Sequence, residues 1–233
     1  MKGKVFYAFI VFVGLLCIIS CSEQDEIVYS CDDAVNTWVK NNIDEIRCMD
    51  RPQWKRLPAL KKRAAYIAFA PQQKIAFWKE KLTDVMALDL TEEERNHVRL
   101  VYDFVVEHSD YFLKKEGLTD KEKNILDLFF YKWAEVAQSK FGWDMKLVAA
   151  IAASGDDVEV KRTSSGTLYY DDLFNPDISK GSKSCHCNTG FFSDFCNVTG
   201  EGECEDVECE GSNFGCGWIW MGSCNGRCSG SFM

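Results

Sequence analysis

Eight cysteines near the C-terminal end constrain the fold more than any other feature of this sequence. They lie between residues 185 and 228, and so short a segment cannot bury enough apolar surface to fold by core packing alone, so it needs cross-links. An even number of cysteines in an exported chain predicts disulfides without showing which cysteines pair. The alternative is metal ligation, with thiolates from Cys185-His-Cys187 and Cys224-x-x-x-Cys228 and with His186 as a nitrogen ligand, but no Cys-x-x-Cys pair occurs. We therefore expect four disulfides among Cys185, Cys187, Cys196, Cys204, Cys209, Cys216, Cys224 and Cys228.

Residues 1–20 have the pattern of an export signal. Lys2 and Lys4 precede an apolar run that ends at Ile19, and this run is shorter than the roughly 20 residues that span a bilayer. The Ser20–Cys21 junction resembles the lipobox of bacterial lipoproteins, which implies lipid attachment at Cys21. The alternative is a plain secretory signal followed by an incidental cysteine. We expect a lipid-anchored protein of the outer membrane or cell surface, with possible secretion after processing.

Residues 21–30 form a predicted tether with an acidic cluster at residues 22–26. Such a cluster is similar to the signal that sends some lipoproteins of Gram-negative bacteria to the cell surface. A solvated tether with no sorting role is the alternative. Composition does not separate these two possibilities, and the prediction for residues 21–30 is a tether.

Residues 31–154 show helical periodicity, which predicts a mainly α fold, an antiparallel helical bundle. The first predicted helix has regularly spaced apolar residues from Val35 onward and is expected to end at Pro52. Pro58 and Pro71 are expected to open further helices. Capping boxes at Thr91 and Thr119 predict two more helix starts. A short helix is expected within residues 142–154. A linker is expected over residues 155–184, with a strand near residues 167–170, and residues 185–233 form the predicted cysteine-rich module.

Charge and motif content exclude several function classes. Removal of the signal takes two lysines and changes the net charge from −9 to −11, which argues against nucleic acid as a partner. No nucleophile motif, phosphate loop or zinc-protease motif occurs. His108 lies on an apolar helix face and is predicted to be structural, and Asp156 and Asp157 are predicted to be solvated. We expect no enzymatic activity, no cofactor and no resident metal.

Two further cysteines, Cys31 and Cys48, lie in the predicted helical region. On one continuous helix their Cα atoms would be roughly 25 Å apart, whereas a disulfide needs Cα atoms within about 7 Å. They can pair only if the helix is broken or if each has another partner. A bridge and a buried free thiol both remain open from the sequence.

The C-terminal segment resembles the fulvocin C-related bacteriocin family. The resemblance is carried by Cys185-His186-Cys187, by the wide spacing of the next cysteines, and most specifically by residues 215–218 (GCGW) and 223–228 (SCNGRC). It covers residues 185–233 and implies a small module held by four disulfides and associated with membrane action. The helical part before it also resembles the longer, precursor-like members of the family.

The tail differs from many membrane-active peptides in its charge. Residues 181–233 carry two basic and seven acidic side chains, a net charge of −5. Cationic attraction to anionic lipid is therefore absent. Membrane action would depend on burial of aromatic side chains, and these could equally fill a small disulfide core. The leading hypothesis is a bacteriocin or bacteriocin precursor that acts on the cell envelope, or on a receptor, of competing bacteria. The alternative is a non-toxic binding or adhesion module of the envelope. The candidate binding aromatics are Phe191, Phe192, Phe214, Trp218 and Trp220.

Overall fold

A computed structural model of the chain describes residues 27–30, 32–170, 204–206, 212–224 and 226–228. The fold is mainly helical within these residues, as the sequence predicts. Its α-helices are α1 (Asp33–Asn41), α2 (Ile43–Cys48), α3 (Arg51–Lys55), α4 (Ala59–Ala68), α5 (Pro71–Met86), α6 (Glu92–Glu107), α7 (Asp120–Phe141) and α8 (Met145–Ala152). A 3-10 helix (Ser109–Leu113) lies between α6 and α7.

Local hydrogen bonds explain where several helices begin and end. The predicted capping boxes at Thr91 and Thr119 are both confirmed, since each hydroxyl accepts from the backbone N–H three residues later. Pro71 opens α5, as predicted. Gly142 ends α7 in the left-handed region with φ of 68°, a conformation that favours glycine.

The prediction of one helix from the first stripe to Pro52 is wrong. The chain instead forms α1, α2 and α3, and the break between the first two lies at Asn42, whose side-chain amide donates to the Trp38 carbonyl at 2.7 Å. Pro52 lies in the first turn of α3, where its missing N–H costs no helical hydrogen bond. Asp50 caps this short helix in a box with Gln53. Local polar side chains therefore outweigh the apolar periodicity.

A β-hairpin follows α8. Strand β1 (Val160–Arg162) pairs antiparallel with β2 (Leu168–Tyr170), so that Val160 lies opposite Tyr170. Leu168 is buried, and β2 lies against α8. The predicted strand near residues 167–170 is thus present. Residues 155–170, which the sequence assigns to a linker, are packed structure, while residues 171–184 lie outside the described residues.

The C-terminal part forms two short antiparallel strand pairs. Its strands are β3 (Cys204–Asp206), β4 (Ser212–Cys216), β5 (Gly222–Cys224) and β6 (Gly226–Cys228). Strand β3 pairs with β6, and β4 pairs with β5. A tight turn over Trp218–Trp220 joins β4 to β5, and β4 lies against α4. Over the ranges that the structure describes, no helix combines the length and the hydropathy needed to cross a membrane.

Candidate functional site

The turn between β4 and β5 is inserted into the helical part of the molecule. Four of its residues, Trp218, Ile219, Trp220 and Met221, are exposed by only 3%, 0%, 2% and 2%; we call them the docking segment. Ile219 and Trp220 have positive φ angles of 41° and 52°. Non-glycine residues in such conformations cost about 1–3 kcal/mol each and persist only where the surroundings hold them. The helical part must therefore supply the contacts that hold this turn.

Four aromatic side chains surround the indole of Trp220, and we call them the aromatic socket. Trp54 comes from α3, Tyr66 from α4, and Phe77 and Trp78 from α5. Their ring centroids lie 4.8 Å (Tyr66), 5.7 Å (Trp54), 5.8 Å (Trp78) and 6.0 Å (Phe77) from that of Trp220. These separations fall within the range of favourable aromatic pairs.

Hydrogen bonds satisfy the polar atoms of the socket. The indole N–H of Trp220 donates to the Ala153 carbonyl at 2.9 Å, and that of Trp54 donates to the Lys62 carbonyl at 2.6 Å. The indole N–H of Trp78 donates to the Tyr66 hydroxyl at 2.9 Å. Burial raises the pKa of Tyr66 above its ordinary value, so this phenol stays neutral in the socket.

Gly155 brings its backbone against the socket. A Cβ atom there would lie 2.6 Å from Trp54, 2.7 Å from Phe77 and 2.9 Å from Trp220. Such distances are shorter than van der Waals contact, so only glycine fits without displacing the rings.

On the other side of the turn, Trp218 stacks on Phe130 of α7 with centroids 4.7 Å apart and planes 7° apart. The docking segment thus joins α3–α5 to α7.

A cationic rim lies beside the socket, formed by Arg51, Lys55, Lys62 and Lys81. The Arg51 guanidinium binds Asp84 at 2.6 Å and Asp157 at 2.7 Å, and it also donates to the Gly155 carbonyl. Three further contacts complete the rim: Lys55 with Asp157 at 2.8 Å, Lys62 with Asp156, and the Lys81 ammonium with the Asp156 carbonyl. The prediction that Asp156 and Asp157 are merely solvated is therefore wrong, because they anchor the loop that carries Gly155.

Charges in this rim have altered proton affinities. Burial, followed by the nearby Arg51 charge, lowers the pKa of Lys81 to about 7. Desolvation acts to raise the pKa of Asp157, but hydrogen bonds from Lys55 and Arg51 outweigh it and leave that pKa lowered. The rim holds a carboxylate in its ionised form next to a lysine that loses its proton easily. The contacts of these groups tie α3, α4 and α5 to the loop of Asp156 and Asp157.

A second aromatic cluster lies around His97 in α6. The imidazole stacks on Trp133 at 5.2 Å with planes 4° apart, and it also contacts Phe141 and Trp143 at 5.1 Å and 5.7 Å. Its Nε2 atom lies 3.0 Å from the Trp133 carbonyl, and the Trp133 indole donates to the His97 carbonyl at 2.9 Å. Burial, the largest of the causes, lowers the pKa of His97 below its ordinary value. His108, in contrast, is half-buried at the end of α6 and contacts Phe104 and Tyr111, which agrees with its predicted structural role.

The structure describes only some of the sequence-predicted site residues. Trp218 and Trp220, considered as membrane-binding aromatics, lie in the interior of the molecule and present no surface to a membrane in this fold. Phe214 lies in β4, and Cys204, Cys216, Cys224 and Cys228 lie in the four strands. Cys48 is an exposed free thiol. The remaining predictions lie outside the described residues: Cys21, Cys31, Cys185, Cys187, Phe191, Phe192, Cys196 and Cys209.

Sequence reasoning did not identify the socket itself or its rim. Trp54, Tyr66 and Phe77 do not belong to the apolar stripes on which the helices were predicted, and Gly155 reads as the start of a linker. The available signal was the density of aromatic residues between positions 54 and 78, which predicts a large buried cluster but not its partner.

Comparisons of the chain with protein-family models, with curated proteins and with solved structures find no match. Within the described ranges no group of three or more His, Cys, Asp or Glu side chains is arranged to hold a metal ion. The socket is an apolar aromatic cluster against which the turn that carries Trp220 is packed.

Proposed function

We propose that this chain is an exported, lipid-anchored bacterial protein whose helical domain holds a bacteriocin-like, cysteine-rich tail in a docked and shielded state. The single observation that carries the proposal is the burial of the docking segment in the aromatic socket. Trp218 belongs to the Gly-Cys-Gly-Trp motif on which the resemblance to the fulvocin C-related family most depends. Two of the five candidate membrane-binding aromatics, Trp218 and Trp220, are thus covered by the helical domain.

Shielding of this kind gives the producing cell a simple form of control. While Trp218 and Trp220 remain buried, no aromatic surface of the docking segment is offered to a lipid bilayer. Undocking would expose these indoles together with the socket. In this proposal, inhibition of competing bacteria begins only when the tail leaves the helical domain.

The experiment compares the oxidised full-length wild type with Trp54→Ala, which removes a socket ring that packs on Trp220 and leaves both tail indoles in place. Growth of related bacteria is measured over a range of protein concentrations. We expect the wild type to be inert and Trp54→Ala to inhibit growth. The matched control is Trp143→Ala, which disturbs the His97 cluster and should not inhibit. Absence of inhibition by Trp54→Ala, after proteolysis has verified that its tail is undocked, contradicts the toxin proposal.

A second candidate function is a non-toxic binding module of the cell envelope. The observation that favours it is the depth of docking, because Ile219 is fully buried and Trp220 forms a hydrogen bond to Ala153 as a core residue does. The net charge of −5 in residues 181–233 also suits a polar partner better than an anionic bilayer. Binding of the oxidised wild type to envelope preparations, lost on reduction and without effect on growth, would support this function.

A further inference from the structure

Strands β3 and β6 lie at the two ends of the described part of the tail, and they pair with each other. In their antiparallel register Cys204 lies opposite Cys228, Glu205 opposite Arg227, and Asp206 opposite Gly226. The register therefore places two cysteines directly across from one another, although 24 positions separate them in the sequence.

This placement meets the distance requirement of a disulfide. Residues directly opposite in an antiparallel ladder have Cα atoms about 4.5–5.5 Å apart, with both side chains on the same face. Disulfides join residues whose Cα atoms are about 4.4–6.8 Å apart. The Cβ atoms of such a pair, about 4.5–5.5 Å apart, need only a small approach to reach the roughly 3.5–4.5 Å of a disulfide.

The neighbouring strand pair provides a contrast. In β4 and β5, Cys216 lies opposite Gly222 and Cys224 lies opposite Ser212. Neither cysteine faces a second cysteine across that ladder. Among the strands that the structure describes, β3 and β6 are thus the pair whose register matches cysteine with cysteine.

We propose that Cys204 and Cys228 form a disulfide. Its formation removes one proton and one electron from each thiol, and the electrons reduce the disulfide of an envelope thiol oxidant to two thiols. The proposal depends on the export proposed above for its oxidising compartment, and it does not depend on inhibitory activity. The bridge closes a loop that contains β4, the docking segment and β5.

Loop closure has a direct consequence for docking. The chain between the two cysteines must present Ile219 and Trp220 at positive φ, a conformation that an open chain rarely adopts. A cross-link at the base of the loop reduces the number of competing conformations. The disulfide would therefore favour the turn that enters the socket.

Peptide mapping of the full-length exported protein tests the pairing. Free thiols are alkylated without reductant, and the protein is then cleaved after glutamate, after arginine and at methionine. Glu203 and Glu205 flank Cys204, Met221 separates Cys216 from Cys224, and Arg227 separates Cys224 from Cys228. We expect the Cys204-Glu205 peptide to be linked to the peptide that begins at Cys228, with release of both on reduction. Linkage of either cysteine to a different one overturns the pairing alone, whereas alkylation of all eight tail thiols overturns both the pairing and the proposed export.

Single substitutions provide a second, independent measurement. In Cys204→Ser the newly alkylated thiol should be that of Cys228, and in Cys228→Ser it should be that of Cys204. The double variant should show no new free thiol. The control Cys216→Ser should leave the link between Cys204 and Cys228 intact. A new free thiol at any other cysteine in the first two variants contradicts the proposal.

Discussion

The two aromatic clusters differ in the part of the chain that completes them. The His97 cluster uses residues between positions 97 and 143, all within or next to α6 and α7. The aromatic socket uses positions 54 to 78 and is completed by Trp220. One cluster is thus internal to the helical domain, while the other depends on the tail. The helical domain thus completes the His97 cluster with its own residues, whereas the aromatic socket is completed by a residue of the C-terminal segment.

Removal of Trp220 should have the largest effect. Trp220→Ala leaves a large cavity between α3, α4 and α5, and tryptophan-to-alanine changes in a core cost about 3–5 kcal/mol. Trp143→Ala in the His97 cluster should cost a similar free energy of unfolding. Only Trp220→Ala should render the tail sensitive to limited proteolysis under native conditions, since Trp220 belongs to the segment that docks the tail and Trp143 does not. Equal protection of the tail in both variants would contradict the comparison.

Gly155→Ala should have the next largest effect. The added Cβ would lie within 3 Å of three rings, and overpacking of this kind costs about 1–3 kcal/mol. Because one of these rings is Trp220, the cost should be smaller in a Trp220→Leu background, as measured by a double-mutant cycle of urea unfolding. Gly166→Ala is the control, since a Cβ there meets no atom within 4 Å and its cost comes from φ of +90°. Strict additivity for Gly155→Ala would show that Trp220 does not pack on this glycine.

The free energy of unfolding should depend on pH through Lys81 in the cationic rim of the socket. Burial lowers the pKa of Lys81 to about 7, below its value in the unfolded chain, so the unfolded state binds more protons above that pH. The free energy of unfolding should therefore rise between pH 7 and 9.5, by at most about 1.4 kcal/mol per pH unit from this group. Lys81→Met should reduce the slope. Denaturant unfolding at several pH values measures the slope. An unchanged slope in Lys81→Met would contradict the lowered pKa of Lys81.

Loss of a helix cap should have the smallest effect and should leave both clusters intact. Thr119→Ala removes the hydroxyl that accepts from the Glu122 N–H at 3.4 Å, and such changes cost about 1 kcal/mol. Thermal unfolding should report the loss, while proteolysis of the tail should stay as in the wild type. Release of the tail by this substitution would show that docking depends on overall stability and not on the socket.

Much of the helical part was predictable because its signals are local. The capping boxes at Thr91 and Thr119 and the proline at position 71 act through neighbours within one helical turn, and the structure has helices starting at each. The break at Asn42 was missed because apolar periodicity continues across it. The hairpin after α8 was largely missed because its polar, glycine-containing sequence has the composition of a linker, and only burial of Leu168 against α8 distinguishes the two.

The mainly helical character of the chain and the concentration of eight of its twelve cysteines near the C-terminal end follow from the printed sequence. The packing of Trp218 and Trp220 between α3, α4, α5 and α7 does not, and it emerges from the folded molecule. The two differ in range, because periodicity and capping depend on residues within one or two turns. The contact of Trp220 with Trp54 joins residues far apart in the chain, and no pattern in either segment specifies its partner.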